Sequence, residues 1–168
     1  MTILSSLHNR YISLSPSNTS NLSTKLSFQI LILQIFYYFT AFIIFFITSI
    51  LLGWNESTLK LIFSWEEISL ENSFGLTLIL LWLINSLISV LIITLIISRS
   101  KLVWDFALTI HLLNLIIISL INGFPWNFYW WILELITVVL VIILGTYTTR
   151  WIELRDTFFD TDIEMGSK

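Results

Sequence analysis

Residues 74–97 read FGLTLILLWLINSLISVLIITLII, without one charged side chain. At a rise of 1.5 Å per residue, about 20 mainly apolar residues cross a hydrocarbon core of roughly 30 Å, so this run is long enough to span a bilayer as a helix. Working outward, residues 26–52, 102–121 and 126–148 meet or approach the same length. The third stretch is the least apolar: Asp105 stands near one end, and His111 and Asn114 lie within it.

The whole chain has the same character. Of its 168 residues 57% are apolar and 11% charged, against roughly 45–50% and about 25% in an ordinary soluble domain. A soluble fold of this size could not cover so much apolar surface, so the solvent has to be lipid. Cysteine is absent, which excludes disulfides, thiolate metal sites, cysteine nucleophiles and palmitoylation. The net charge of −3, from 11 acidic and 8 basic residues, carries no nucleic-acid footprint. The first apolar run is too long for a secretory signal, follows a polar leader and lacks a small-residue cleavage pattern, so the leader is expected to stay on the protein. That leader, residues 1–25, and residues 160–168 are polar or acidic and read as disordered.

The basic residues orient the spans. Arg10 and Lys25 precede span one, Arg99 and Lys101 lie between spans two and three, and Arg150, Arg155 and Lys168 follow span four, leaving only Lys60 in the other loops. By the positive-inside rule both termini and the second loop face the cytosol. Trp54, Trp65, Trp126, Trp130 and Trp131 then mark the lumenal boundary, and Trp104 and Trp151 the cytosolic one. The predicted fold class is an all-α membrane protein: four transmembrane helices in an antiparallel bundle, both termini cytosolic. Of three N-x-Ser sequons only that at Asn55 falls on the lumenal side, close to the end of span one. It is either a glycosylation site or a chance match in a chain rich in Asn and Ser.

The connections are short. Ser98 to Lys101 joins spans two and three, and Asn122-Gly123-Phe124-Pro125 is a turn signal between three and four, so consecutive helices are expected to run antiparallel. In the longer first loop, Leu59, Ile62 and Phe63 fall at helical spacing and Ser64-x-x-Glu67 resembles a capping box; a short interfacial helix and an irregular aromatic loop both fit. Beyond Gly145, Trp151, Leu154 and Phe158 recur at i, i+3 and i+7. Two readings suit this stripe: the end of span four anchored among headgroups by Arg150 and Arg155, or a docking surface.

Ionisable groups at mid-helix cost about 2.5–3.5 kcal/mol on insertion scales and demand partners. His111 and Glu134 come within roughly 3 Å of the same depth if spans three and four are antiparallel. Ala107, His111, Asn114 and Ile118 share one helix face, and Glu134, Thr137, Val141, Gly145 and Thr148 another. Asn85 with Ser89, and Gln34, extend this polar layer. Interhelical glue and a transport path both account for it. The chain has no HExxH zinc pair, GxSxG elbow, phosphate loop or paired intramembrane aspartates, so neither an enzyme nor a metal or cofactor site is expected.

Five stretches carry a resemblance: LQIFYY (33–38), FSWEEI (63–68), LLWLINSLI (80–88), RSKLVWDFALTIH (99–111) and LGTYTTRWIELRDTFF (144–159). The last two are the most specific, because apolar composition alone does not set charged residues in that order at two cytosolic boundaries. On them the chain resembles the SYS family of small Golgi integral membrane proteins, from about Leu26 onward. The resemblance implies four spans with cytosolic ends, residence in the Golgi membrane, and a role as receptor for an N-terminally acetylated Arf-like small GTPase. That GTPase in turn supports golgin recruitment and endosome-to-Golgi traffic. It implies no catalytic residue and no small-molecule substrate. Two departures stand out: Glu134 replaces a neutral Gln, which favours glue over a proton relay, and the cytosolic tail is short. The surface expected to face the GTPase comprises Arg99, Lys101, Trp104, Asp105, Arg150, Trp151, Arg155 and Phe158; Arg99 and Lys101 serve equally well as topology anchors on lipid headgroups.

Overall fold

The structure is a computed structural model that describes the backbone of residues 16–97 and 99–166 and the side chains of residues 24–97 and 99–155. Its helices are α1 (Pro16–Leu52), α2 (Thr58–Phe63), α3 (Ser73–Ile96), α4 (Val103–Asn122) and α5 (Phe128–Gly166), with a 3₁₀ turn at Ser100–Leu102; the described residues hold no strand. Four stretches are helical, long and apolar enough to cross a membrane: Thr24–Leu52, Ser73–Ile96, Ser100–Asn122 and Phe128–Arg155.

Both long outer helices overrun the expected spans. The helix of α1 starts at Pro16, so residues 16–25 are helical where the composition reads as disordered, and α5 carries helix through residues 160–166 likewise. Proline suits a first helical position, and extending a helix that packing already holds costs far less than nucleating one. Residues 1–15 and 167–168 lie outside the described residues. At its other end α1 stops at Gly53, where φ is +66°. The N–H groups of Gly53 and Trp54 return to the carbonyls of Ile50 and Ser49, the double closure that a left-handed glycine permits.

The four long helices form a ring in the order α1, α3, α5, α4, and α3, which packs on both α1 and α5, has the most extensive contacts. The inward stripe of α1 recurs at every fourth residue, Leu33, Tyr37, Ala41 and Phe45, all buried. Outward positions such as Phe39, Leu95, Leu120 and Leu135 remain exposed, as lipid requires. Small side chains bring α5 close to both of its neighbours: Thr94 of α3 and Thr148 share a hydrogen bond of 2.7 Å, and a Cβ on Gly145 would stand 2.9 Å from Val103 Cγ1 of α4.

The first loop folds over one end of this ring. Its helix, α2, settles the choice between helix and irregular loop, but Ser64 caps no helix start: it follows Phe63 at the C-terminal end, its N–H bonded to the Lys60 carbonyl. Leu61, Ile62 and Ile68 are buried beneath it. Asparagines tie it down, Asn122 Nδ2 donating to the Phe63 carbonyl at 2.8 Å and Asn127 Nδ2 to those of Trp65 and Ile68 at 3.0 and 2.6 Å. Among the boundary tryptophans, Trp126 is 82% exposed but Trp130 only 3%, so Trp130 is a packing residue and not part of an interfacial belt.

The start of α3 is the tightest point of this end. Asn72 Oδ1 accepts from the Gly75 N–H at 2.6 Å, and a Cβ on Gly75 would collide with the backbone of Ser69. Gly75→Val is expected to lower stability by about 1–3 kcal/mol, the usual cost of overpacking, measured by equilibrium unfolding in mixed micelles titrated with SDS.

Candidate functional site

Two groups of residues stand out, one inside the ring and one at the end that carries Arg99. Inside, His111 Nδ1 lies 2.9 Å from Glu134 Oε1, joining α4 to α5 across nearly buried surroundings. The Tyr38 hydroxyl donates to Asn114 Oδ1 at 2.9 Å, joining α1 to α4, and Thr40 Oγ1 donates to Asn85 Oδ1 at 2.7 Å, joining α1 to α3. Tyr37 stacks on Trp82 and sets its ring edge against His111, with both ring centroids 5.9 Å away. The polar residues read from the sequence are thus divided among three pairs, each completed by a residue of a neighbouring helix.

Gln34 is the exception. Its carboxamide atoms are buried beside Tyr38 without a well-formed hydrogen bond, so it stands at the edge of the chain of pairs. Tyr38 and Thr40 supply the partners on α1, and sequence reading passed over them because a tyrosine or threonine hydroxyl does not mark an apolar helix as a carboxamide or a charge does. Their signal lies in QIFYYFT, where Gln34, Tyr37, Tyr38 and Ala41 share one helical face. On α4 the expected face of Ala107, His111, Asn114 and Ile118 is buried in full. The cavity beside this layer, between Tyr37, Ser89 and Ile110, has a volume of about 10 Å³. That is at most the space of one water molecule.

At the other site Arg99, Lys101, Trp104, Asp105, Arg150, Trp151 and Arg155 are all exposed, Trp151 at 63%. The side chain of Phe158 lies outside the described residues. What brings the link and α5 together is Glu153, which sequence reading left out: its Oε2 accepts from Ser100 Oγ at 2.8 Å and from the Ser100 N–H at 3.4 Å. Arg99 and Lys101 lie within electrostatic reach of the same carboxylate. A hollow of about 430 Å³ between Lys101, Thr146, Arg150 and Glu153 separates the two basic segments. Surface hydroxyl-to-carboxylate pairs give no sequence signal when 53 positions separate them.

The remaining candidate, Asn55, is exposed at the opposite end, just past Gly53. Beside it Lys60 pairs with Glu56 at 2.8 Å, a hydrogen bond that holds its ammonium above the usual lysine range. The described residues contain no group of three or more His, Asp or Glu side chains placed to hold a metal ion.

The model of the family SYS1, described as integral membrane protein S linking to the trans Golgi network, matches residues 17–159. The chain belongs to the SYS1 family. It is 48% identical over 149 residues to Protein SYS1 of Saccharomyces cerevisiae, an alignment that takes in 88% of this chain and 70% of the yeast protein. It is also similar to two proteins named SYS1 homolog. That of Nematostella vectensis is 28% identical over 61% of this chain and 66% of its own length, and that of Dictyostelium discoideum 29% over 76% and 55%. No solved structure matches the chain. The SYS1 match contains every residue of the intramembrane layer and both basic segments. An integral membrane protein of the trans Golgi network agrees with four apolar helices joined within the ring by paired polar side chains.

The His111–Glu134 pair yields a direct test. Glu134→Leu leaves His111 Nδ1 without its partner and is expected to cost about 0.6–1.7 kcal/mol, the range of interhelical hydrogen bonds in bilayer proteins, whereas Glu134→Gln keeps an acceptor and stays near wild type. Unfolding of the reconstituted protein, with His111→Phe completing a double-mutant cycle, measures the coupling.

Proposed function

We propose that this SYS1-family chain is a multi-pass Golgi membrane receptor that recruits an N-terminally acetylated Arf-like small GTPase to the trans-Golgi, performing no chemistry of its own. In this reading it supports golgin recruitment and endosome-to-Golgi vesicle traffic. Consecutive spans run antiparallel, and the end bearing Arg99 and Arg150 faces the cytosol with both termini.

The observation that carries the reading is the clamp from Ser100 to Glu153. It holds Ser100, between Arg99 and Lys101, against α5, where Lys101 and Arg150 line one hollow with Trp104 and Asp105 exposed on the next turn, within a chain whose family belongs to the trans Golgi network. Charged groups interleaved with exposed tryptophans suit a protein contact better than a lipid anchor alone. The direction of the spans is supported by contacts at both ends. Gln29 Nε2, early in α1, donates to the Ile96 carbonyl at the end of α3, while Trp54, past the end of α1, packs on Phe74 near the start of α3 with centroids 4.7 Å apart. The clustering of Arg and Lys around the described end points it to the cytosol. The intramembrane layer serves as interhelical glue: its pairs satisfy one another, and the cavity beside it is too small for a solute path.

Topology is testable without background labelling, since the chain has no cysteine. In sealed Golgi vesicles of native orientation, Lys101→Cys is expected to react with a membrane-impermeant maleimide at once, and Lys60→Cys only after the vesicles are opened. Recruitment is tested by imaging the tagged GTPase in cells lacking the protein. The GTPase disperses into the cytosol, returns to Golgi puncta with the wild-type gene, and remains at least about tenfold depleted there with Arg99→Glu/Arg150→Glu, a loss equal to roughly 1.4 kcal/mol of binding. Persistence of the puncta in the deletion strain would overturn the receptor reading.

A further inference from the structure

Past the hydrogen bond between Thr94 and Thr148, α3 ends at Ile96 while α5 runs on, so the two helices part and leave a groove between them. Leu91 and Leu95 form one wall and Tyr147, Trp151 and Ile152 the other, with Arg155 at the far end; the volume is about 710 Å³. The two threonine hydroxyls at its floor can place both protons within the floor, one donating to the other hydroxyl and that one to the carbonyl four residues back, so the floor asks nothing of an occupant. Leu91, Leu95, Tyr147 and Trp151 are each more than 60% exposed. From Tyr147 to Arg155 the groove follows α5 for roughly 12 Å.

We propose that this groove is a binding site for one anionic phospholipid, with an acyl chain between Leu95 and Trp151 and the headgroup phosphate at Arg155. Charge and placement select this occupant. The groove opens sideways from the outer face of the spans, where hydrocarbon surrounds it, and all its walls but one are apolar. Among the described residues that line it the one charged group is the Arg155 guanidinium, at the end that reaches the headgroup level, marked by Tyr147 and Trp151 as interfacial aromatics. A guanidinium donates to two phosphate oxygens at once, which an ammonium-bearing zwitterionic headgroup offers less favourably than an anionic one. Basic pockets between spans are a recurrent means of holding anionic headgroups. A soluble partner would have to enter through lipid to reach Leu91.

Because the chain is free of cysteine, Leu95→Cys carries a bimane fluorophore at one defined site of the full-length protein in phosphatidylcholine vesicles. A minor fraction of brominated phosphatidylserine is expected to quench it with an apparent affinity about fivefold higher than the same fraction of brominated phosphatidylcholine, the ratio that one basic residue supports near an anionic headgroup. The added change Arg155→Gln removes the preference but leaves quenching by phosphatidylcholine, and Leu112→Cys, exposed on α4 away from the groove, shows no preference in either background. Equal quenching by the two lipids at Leu95→Cys overturns the proposal, as does a preference that survives Arg155→Gln. Loss of quenching by both lipids when the GTPase is added, with no preference before its addition, assigns the groove to a protein segment and overturns it equally.

Discussion

Lipid offers a polar side chain no partner, and the ring holds together where its members supply one another. The pairs Thr40 with Asn85, Tyr38 with Asn114, and His111 with Glu134 lead in turn from α3 to α1, from α1 to α4 and from α4 to α5. No apolar contact could specify this arrangement as sharply, because the tails of the bilayer are as apolar as the side chains that face them. Any other rotation of one helix would strand a carboxamide, an imidazole or a carboxylate in hydrocarbon. The fourth side of the ring, between α3 and α5, is closed by Thr94 and Thr148, while the absence of a side chain at Gly145 lets α5 lie close against Val103 of α4.

The spans and the composition of the interior were legible because both follow from one-dimensional rules: length against bilayer thickness, and polar residues at helical spacing. Four helices long and apolar enough to cross a membrane stand where the apolar stretches predict them. The His111–Glu134 pairing was legible too, since an ionisable residue at mid-span announces itself and only one other lay at its depth. Gln34 lies beside the layer at Tyr38, but which residue of α1 would meet Asn114 was not legible. Gln34 and Tyr38 share a face of α1 one turn apart, and side-chain reach decides between them: the long tyrosine, and not the carboxamide, meets Asn114. Trp130 is likewise hidden from composition at a boundary: its residue type suggests a belt, whereas the fold buries it beside Trp131.

Other features arise from pairings between distant parts of the chain. Asn127 holds two carbonyls of the first loop, and Glu153 holds Ser100, across 59 or more and 53 positions respectively. Each is an ordinary surface residue in the sequence. Together they make the two ends of the ring unlike: one is closed by a folded loop rich in buried aliphatic residues, and the other opens into hollows flanked by basic residues.

The same chain of pairs sets a timetable for synthesis. Asn85 finds Thr40 already in the membrane when its own helix arrives, but the Tyr38 hydroxyl waits for Asn114, 76 positions later. At translation rates of about 5–20 residues per second, that interval lasts roughly 4–15 s. During it the first helix carries an unmatched hydroxyl, and the polar groups of α1 have to be sheltered by the insertion machinery or by water until α4 is delivered. The ring therefore closes late, after most of the protein has entered the bilayer, and a nascent chain halted before α4 would expose a surface that quality control can recognise.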